Sequence, residues 1–504
     1  MEVLIGERLT LEDLRRVVFA RASVALAPPA VEQVRRARAV VDGLVARGQV
    51  VYGITTGVGD LATVAISPDQ AAALQANIVR SHAAGVGEPL PAEVVRAIML
   101  LRAHTLALGY SGIRRETLQT LIAMLNAGII PLIPAQGSVG ASGDLAPLAH
   151  LALVVMGEGR VLTEGGSRPA ADALREVGVQ PMILAAKEGV ALINGTQMMT
   201  AVGALALLRA EVAAKSADVT GAMTAEALLA LPAAFDPDLH RVRPQPGQQT
   251  SAENLRRLLA ESRLARPADR VQDAYALRCM PQVHGAARDG IAYARRAVET
   301  EINSATDNPL IFAEAGKVVS GGNFHGQPVA LALDVLAIAT AALATIAERR
   351  IERLVNPHLS GLPAFLTREG GLHSGLMLAQ YTAAALVSEN KILAHPASVD
   401  TIPTSANQED HVSMGSIAAR KAARVVEHVA QVMGIEALCA AQALEFRDFE
   451  QAAPAVRAAY RAVRRVIPPL ERDRVLADDL AQAYALVVGG ALVQAAEEVT
   501  GPLG

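Results

Sequence analysis

The sequence predicts a mainly α-helical protein, a bundle of long helices with a loop-rich N-terminal part, and three observations predict it. Apolar residues recur at helical spacing over roughly 197–230, 282–303, 325–355, 371–394, 412–446 and 476–499, several of these at about twice the mean helix length or more. Alanine and leucine dominate these segments and aromatic residues are only 3% of the chain, so helix axes can approach closely. Strand-like material is confined to 152–182, around Gly159-Arg-Val-Leu and Pro181-Met-Ile-Leu. With 504 residues, 51% hydrophobic and 19% charged, the chain can bury a large core and is not a disordered polymer. The expected organisation is a globular N-terminal part over 1–196 and the long-helix bundle over 197–504, closely packed together.

In chain order, Thr10 followed by Asp13 marks a capped helix start, and a second helix is expected from Pro29 to Arg47. Val50-Val-Tyr-Gly-Ile-Thr-Thr-Gly-Val-Gly-Asp is β-branched but broken by glycine, and reads as a loop. Helices follow over 68–81, 91–108 and 114–127, separated at Ser81-His-Ala-Ala-Gly-Val-Gly-Glu-Pro and Gly109-Tyr-Ser-Gly. Farther on, polar loops at 232–250, 304–324 and 396–411 divide the long helices, and loops held by a rigid scaffold are where chemistry concentrates. Val329 to Ala347 is long and apolar enough to mimic a membrane span, but Asp334 near its middle would be costly in lipid. A buried helix that emerges into solvent at Glu348-Arg-Arg is expected there instead.

The net charge of −4 is spread along the chain, so no basic face invites nucleic acid. Cys279 and Cys439 are the only cysteines. Without a CxxC they argue against a disulfide framework or a zinc–thiolate site, and no HExxH or EF-hand spacing suggests a metal. Met1-Glu-Val-Leu-Ile-Gly-Glu-Arg shows no basic stretch ahead of an apolar run, so a cytoplasmic location without a signal peptide is expected.

The densest chemical signal is Gly137-Ser-Val-Gly-Ala-Ser-Gly-Asp-Leu-Ala-Pro-Leu-Ala-His. Glycine at this density costs backbone entropy and serves a turn, a close approach or a reaction. A helix should start after Asp144, bringing unpaired N–H groups and partial positive charge to Ala141-Ser142-Gly143. The word fails as a hydrolase elbow, since Gly140-Ala-Ser-Gly-Asp lacks the closing glycine of Gly-x-Ser-x-Gly. A plain connecting loop fits the local pattern too. In Gln272-Asp-Ala-Tyr-Ala-Leu-Arg-Cys, a helix would place Gln272, Tyr275 and Arg278 on one face, with Arg278 as a fork for a carboxylate; an Arg paired with a nearby acid is the bland alternative. Asn407-Gln-Glu-Asp-His-Val-Ser-Met offers Glu409 and His411 as acid, base or anchor, or is simply a solvated loop. Tyr52, Tyr275 and Phe324 sit in these polar or glycine-rich stretches, where core packing is the other reading, and His82 lies where it can point into a cleft.

Together these words, with Tyr52-Gly-Ile-Thr-Thr-Gly-Val-Gly, Ser81-His-Ala-Ala-Gly-Val-Gly, Leu192-Ile-Asn-Gly-Thr-Gln, Asn303-Ser-Ala-Thr-Asp-Asn-Pro-Leu and Gly321-Gly-Asn-Phe-His-Gly, resemble the MIO-dependent aromatic amino acid lyase family, and within it the histidine ammonia-lyases. Eight words in order span nearly the whole chain. The resemblance implies the long-helix fold shared with fumarase-like enzymes and a prosthetic group, 4-methylidene-imidazol-5-one (MIO), formed autocatalytically from Ala141, Ser142 and Gly143 with no external cofactor. The Gly143 nitrogen would attack the Ala141 carbonyl, with loss of two waters leaving a methylidene carbon from Ser142.

The implied reaction takes L-histidine to trans-urocanate and ammonia, the first step of histidine degradation, in a homotetramer. By the same resemblance, Tyr52 is a base candidate, Arg278 grips the carboxylate, and Asn194 and Tyr275 stand near the reacting groups with Gln272 behind them. Phe324 lies against the prosthetic ring and Asp144 assists its formation. His82 and Glu409 would meet the imidazole, and Glu409 shares the base role; lyases for phenylalanine and tyrosine usually lack this pair, and a buried acid facing a phenyl ring would be left unpaired. Met280 and His284 differ from the Gln and Met of some bacterial relatives, and they and Arg80 are expected to tune the pocket or its surroundings. The rivals are a phenylalanine or tyrosine ammonia-lyase, a 2,3-aminomutase with the same electrophile, or a helical scaffold without chemistry.

Overall fold

A computed structural model describes residues 2–51, 53–56, 66, 70–266 and 270–504. Among them are 20 α-helices and four two-stranded sheets. Thr10 caps the first helix, Leu11–Val18: its hydroxyl accepts from Asp13 N while the Asp13 carboxylate accepts from Thr10 N. The helices expected early in the chain appear at Pro28–Ala46, Ala71–His82, Ala92–Ala107 and Arg115–Asn126, and the long ones at Gln197–Ala227, Met280–Glu301, Gln327–Val355, Met377–Leu393 and Gly415–Leu444.

Three expectations need correction. The segment 476–499 is two helices, Leu476–Val488 and Ala491–Thr500, bent by 52° at Gly489-Gly490, because Gly490 takes a left-handed φ of +72° that ends the first helix. Strands are not confined to 152–182: Val3–Ile5 pairs in parallel with Val24–Leu26, Val86–Pro89 with Pro134–Gln136, and Leu310–Phe312 with Lys317–Val319. Within 152–182, Arg160–Thr163 forms a hairpin with Gly166–Pro169, while Pro181-Met-Ile-Leu is no strand. Lastly, Gln327–Val355 does not leave the interior at Glu348, since Glu348 and Arg350 are both buried.

The chain divides into two compact units that interleave along the sequence, so the expected single cut after residue 196 does not describe the contacts. The first comprises Met1–Leu205, Arg295–Leu333 and Pro396–Arg420. Its centre is Ala92–Ala107, buried from Val95 onward on every face, with Leu11–Val18, Pro28–Ala46 and Arg115–Asn126 packed around it. Leu145–Val155 packs on Ala71–His82 and Glu188–Ile193. The second unit comprises Ala206–Ala294, Asp334–His395 and Lys421–Gly504, where Pro454–Arg464 lies along Ala491–Thr500. Gln197–Ala227 and Gln327–Val355 have the length and hydropathy of membrane spans, and 78% and 61% of their most apolar windows are buried inside the protein.

Candidate active site

The first unit builds its site around Ser142. The helix expected after Asp144 runs Leu145–Val155, and the turn ahead of it is pinned to a second strand of chain. Gly143 bridges Gly195, and Asp144 N donates to Gly195 O at 2.7 Å. Gly143 has φ +72°, and a Cβ there would lie 2.1 Å from Gly195 O, so both conformation and space demand glycine. Gly195 is walled in likewise, its φ being +154° and an added Cβ 2.4 Å from an Arg102 nitrogen. This contact brings the Ser142 hydroxyl to Asn194, donating to Oδ1 at 2.6 Å.

Asp144 ties this turn to the next long helix. It precedes Leu145–Val155, but its carboxylate does not cap that helix. Instead Oδ2 accepts from Met199 N at 2.9 Å, in the first turn of Gln197–Ala227, and Oδ1 accepts from Ser138 Oγ at 3.1 Å. Two helix N-termini therefore stand beside Ala141-Ser142-Gly143, and the Asp144 carboxyl meets the N–H groups of the second at Met199. Burial pushes the Asp144 pKa up to about 7, against the Met199 and Ser138 hydrogen bonds.

Behind Ser142 lies a buried polar shell. Asn194 Nδ2 donates to Asp307 Oδ1 and Asn308 O, both at 3.2 Å. Asp307 also receives Lys187 Nζ at 2.6 Å, and both side chains are fully buried. Arg102, likewise buried, donates to Asn194 O, Gln197 Oε1 and Ala191 O. Burial lowers its pKa to about 10. Gln197 passes its own N–H groups to Thr105 and Thr306. Apart from Arg102 Nε, which has no partner, these side chains hold one another, and such networks fix geometry.

The loops close over this shell from two sides. Ser413 Oγ donates to Gly140 O at 3.1 Å, Met414 N to Val139 O at 2.9 Å and Ser416 Oγ to Ser138 O at 2.6 Å. The His325 and His411 rings stack at 5.8 Å, bringing Gly321-Gly-Asn-Phe-His-Gly against Asn407-Gln-Glu-Asp-His. Phe324 and Glu409 are half-buried there. Thr404 Oγ1 donates to Glu409 Oε2 at 2.8 Å, and the three residues Ser405, Ala406 and Asn407 all have positive φ. Strain of this kind in a loop concentrates at working sites. His82 ends Ala71–His82, its Nδ1 on Ile78 O at 2.7 Å. Among the described residues no hydrogen bond joins His82, Phe324 or Glu409 to Ser142. Tyr52 lies outside the described residues.

Gln272, Tyr275 and Arg278 belong to the second unit. The helix there is only Tyr275–Arg278, so Gln272 precedes it and the expected common face holds for Tyr275 and Arg278 alone. The Arg278 guanidinium sits 4.6 Å from the Tyr275 ring centroid. It makes no ion pair among the described residues, and its buried Nε has no partner, so the bland reading of an acid-paired Arg fails. Gln272 and Arg278 line a 370 Å³ pocket with Asp273, Cys279 and Gln282. Met280 and His284 are core residues: both are buried, and His284 Nδ1 meets Asp218 at 2.7 Å. Arg80 forms a two-pronged pair with Glu158.

Sequence reasoning missed Lys187, Arg102, Ser138, Met199 and Ser413. Ser138 and Ser413, like Asp307, sat inside the short words of the sequence, at Gly137-Ser-Val-Gly, His411-Val-Ser-Met and Asn303-Ser-Ala-Thr-Asp-Asn-Pro; Lys187, Arg102 and Met199 act through burial and partners distant in sequence.

The aromatic amino acid lyase family model matches residues 9–465 of the chain. Histidine ammonia-lyase of Symbiobacterium thermophilum is 59% identical over 501 residues, 99% of each chain. That of Gloeobacter violaceus is 56% identical over 505 residues, 99% of this chain and 98% of that one. Among solved structures, histidine ammonia-lyase from Trypanosoma cruzi superposes with TM-score 0.93 at 48% identity, over 99% of this chain and 96% of that one. A tyrosine aminomutase from Streptomyces globisporus superposes with TM-score 0.96 at 40% identity over the whole of both.

Proposed function

This chain belongs to the aromatic amino acid lyase family, and from that premise we propose that it is a carbon–nitrogen lyase removing ammonia from L-histidine to give trans-urocanate. The observation that carries the reading is the Ser142–Asn194 contact at 2.6 Å inside a glycine-walled turn facing two helix N-termini. The residues present fit a self-formed MIO. Gly143 leaves no room for a side chain beside Gly195, small Ala141 is nearly buried, and the Ser142 hydroxyl is the group to be lost. Once formed, the MIO supplies an electrophilic carbon that makes the substrate's amine a leaving group.

The chain's own residues do the rest. Arg278 makes no ion pair among the described residues and takes the substrate's carboxylate as a planar fork. Tyr275 and Gln272 flank it. Asn194 keeps an acceptor oxygen beside the Ser142 carbon for a substrate N–H. Glu409 and His82 receive the imidazole, since among the described residues only Nδ1 of His82 is engaged, and Tyr52 or Glu409 takes the β-proton. Phe324 walls the site.

Assembly as a homotetramer in the cytoplasm completes the reading. Association of subunits is supported by Leu378, Tyr381 and Ile392, exposed on one face of Met377–Leu393, since such a stripe on a free surface marks an interface. Light scattering should return four times the chain mass.

The test is incubation of purified protein with histidine, tyrosine and phenylalanine separately, following each conjugated acid by ultraviolet absorbance. Urocanate from histidine alone is expected. Coumarate or cinnamate would move the substrate assignment, and a β-amino acid without ammonia would indicate a mutase, the activity named for one structural neighbour. Ser142→Ala should leave a folded oligomer almost without turnover.

A further inference from the structure

A carboxamide has two ends, and the end that faces Ser142 decides what its hydroxyl does. Asp307 Oδ1 and Asn308 O can only accept, and both lie 3.2 Å from Asn194 Nδ2. The nitrogen end must therefore face them. That leaves Oδ1 for Ser142, and the serine hydroxyl is forced to donate. What fixes the Asp307 carboxyl in place as an acceptor is Lys187, whose Nζ lies 2.6 Å from Oδ2 with neither side chain exposed. Asn308 N adds a further bond to Oδ1 at 2.6 Å. Lys187 itself enters Glu188–Ile193 from a left-handed φ of +75°, a conformation uncommon outside glycine that turns its side chain inward at a cost.

We infer that Lys187 and Asp307 are positioning residues, a buried pair that aims the Asn194 carboxamide oxygen at Ser142 and so holds the hydroxyl in one rotamer for its loss. That loss removes the hydroxyl with the Ser142 Cα proton as one water, the Cα–Cβ bond becoming double. Without the pair Asn308 O alone still orients the carboxamide, and competition among three staggered rotamers of Ser142 and two carboxamide orientations dilutes the reactive arrangement by at most about sixfold. After the hydroxyl has gone, the same oxygen is left without its donor beside the new electrophilic carbon, and the pair then holds it ready for a substrate N–H. The inference rests on the lyase reading above.

The test uses the full chain made by cell-free synthesis, with mass spectrometry following the Ser142 peptide as it becomes two waters lighter. The variants are Asn194→Ala, the charge-free Lys187→Met/Asp307→Asn, and all three substitutions together. Lys187→Met/Asp307→Asn should slow water loss several-fold, at most about sixfold, and adding it to Asn194→Ala should slow that variant less than twofold further, because the pair acts through Asn194. Multiplying effects, or maturation at the parental rate, would overturn the inference. Should the charge-free pair not fold, Asp307→Glu keeps both charges but displaces the acceptor by one methylene; it should mature several-fold more slowly, and parental maturation there overturns the inference equally. In matured protein, kcat should fall more than KM rises. A parent that matures yet makes no urocanate sinks the histidine reading and leaves the maturation test readable.

Discussion

Asp144 couples site chemistry to pH through its buried carboxyl, whose pKa rises from 3.8 to about 7. Between those values the folded chain binds a proton that the unfolded chain has released, so this group's contribution to stability falls as pH rises and levels off above 7. The slope is at most about 1.4 kcal/mol per pH unit. Asp144→Asn stays neutral throughout, so its stability relative to the parent should improve from pH 5 to pH 8; denaturation curves at both ends measure it, and a pH-independent difference would refute the shift. Arg278→Met should raise KM for histidine by about tenfold or more, the scale of a charge-assisted hydrogen bond, with little change in melting, because the guanidinium has no carboxylate partner among the described residues. An unchanged KM would remove Arg278 from the substrate. Ser142, Asn194 and Asp144 were legible because their chemistry sits in short words. Lys187 was not: its partner is 120 residues away, and nothing local distinguishes a lysine destined for the core.

At the level of elements, periodicity located the long helices well, since a buried stripe recurs over many turns. It failed where one residue decides. Apolar spacing runs through 476–499, yet Gly490 with φ +72° splits the helix. The strands at Val3–Ile5 and Leu310–Phe312 are three residues long, too short for alternation to register. Two glycines with the same φ should behave differently on substitution. Gly490 has open space around its missing Cβ, so Gly490→Ala should cost only the left-handed conformation, about 1–2 kcal/mol, and leave turnover intact. Gly143→Ala meets the Gly195 carbonyl at 2.1 Å, and backbone cannot yield as a side chain does; the Ser142 peptide should keep both waters. Melting curves and peptide masses on the two variants separate strain from collision.

For the molecule as a whole, the second unit holds charge deep inside an alanine- and leucine-rich interior. Arg350 lies on Glu436 with NH2–Oε2 at 2.8 Å, neither being exposed, and Thr220 and Thr224 donate to the same carboxylate at 2.8 and 2.9 Å. His284 stands between Asp218 and Arg350, 2.7 Å from the first and 3.3 Å from the second. Burial lowers its pKa, with Asp218 opposing, and an Nε2 that accepts from Arg350 while Nδ1–H donates to Asp218 is the neutral ring. Asp218 is held below the ordinary carboxylate range although burial works against it, because Arg288 and His284 face it. Such a cluster is costly to assemble and costlier to break, since removing one charge strands its partner in the core. Glu436→Gln should therefore destabilise the protein by about 3–5 kcal/mol, seen as a clear drop in melting temperature, while Glu32→Gln, which opens an exposed pair with Arg35, should shift melting barely at all. Equal melting of the two variants would mean that the buried cluster relaxes by admitting water, and that close packing of the helices alone holds this unit together.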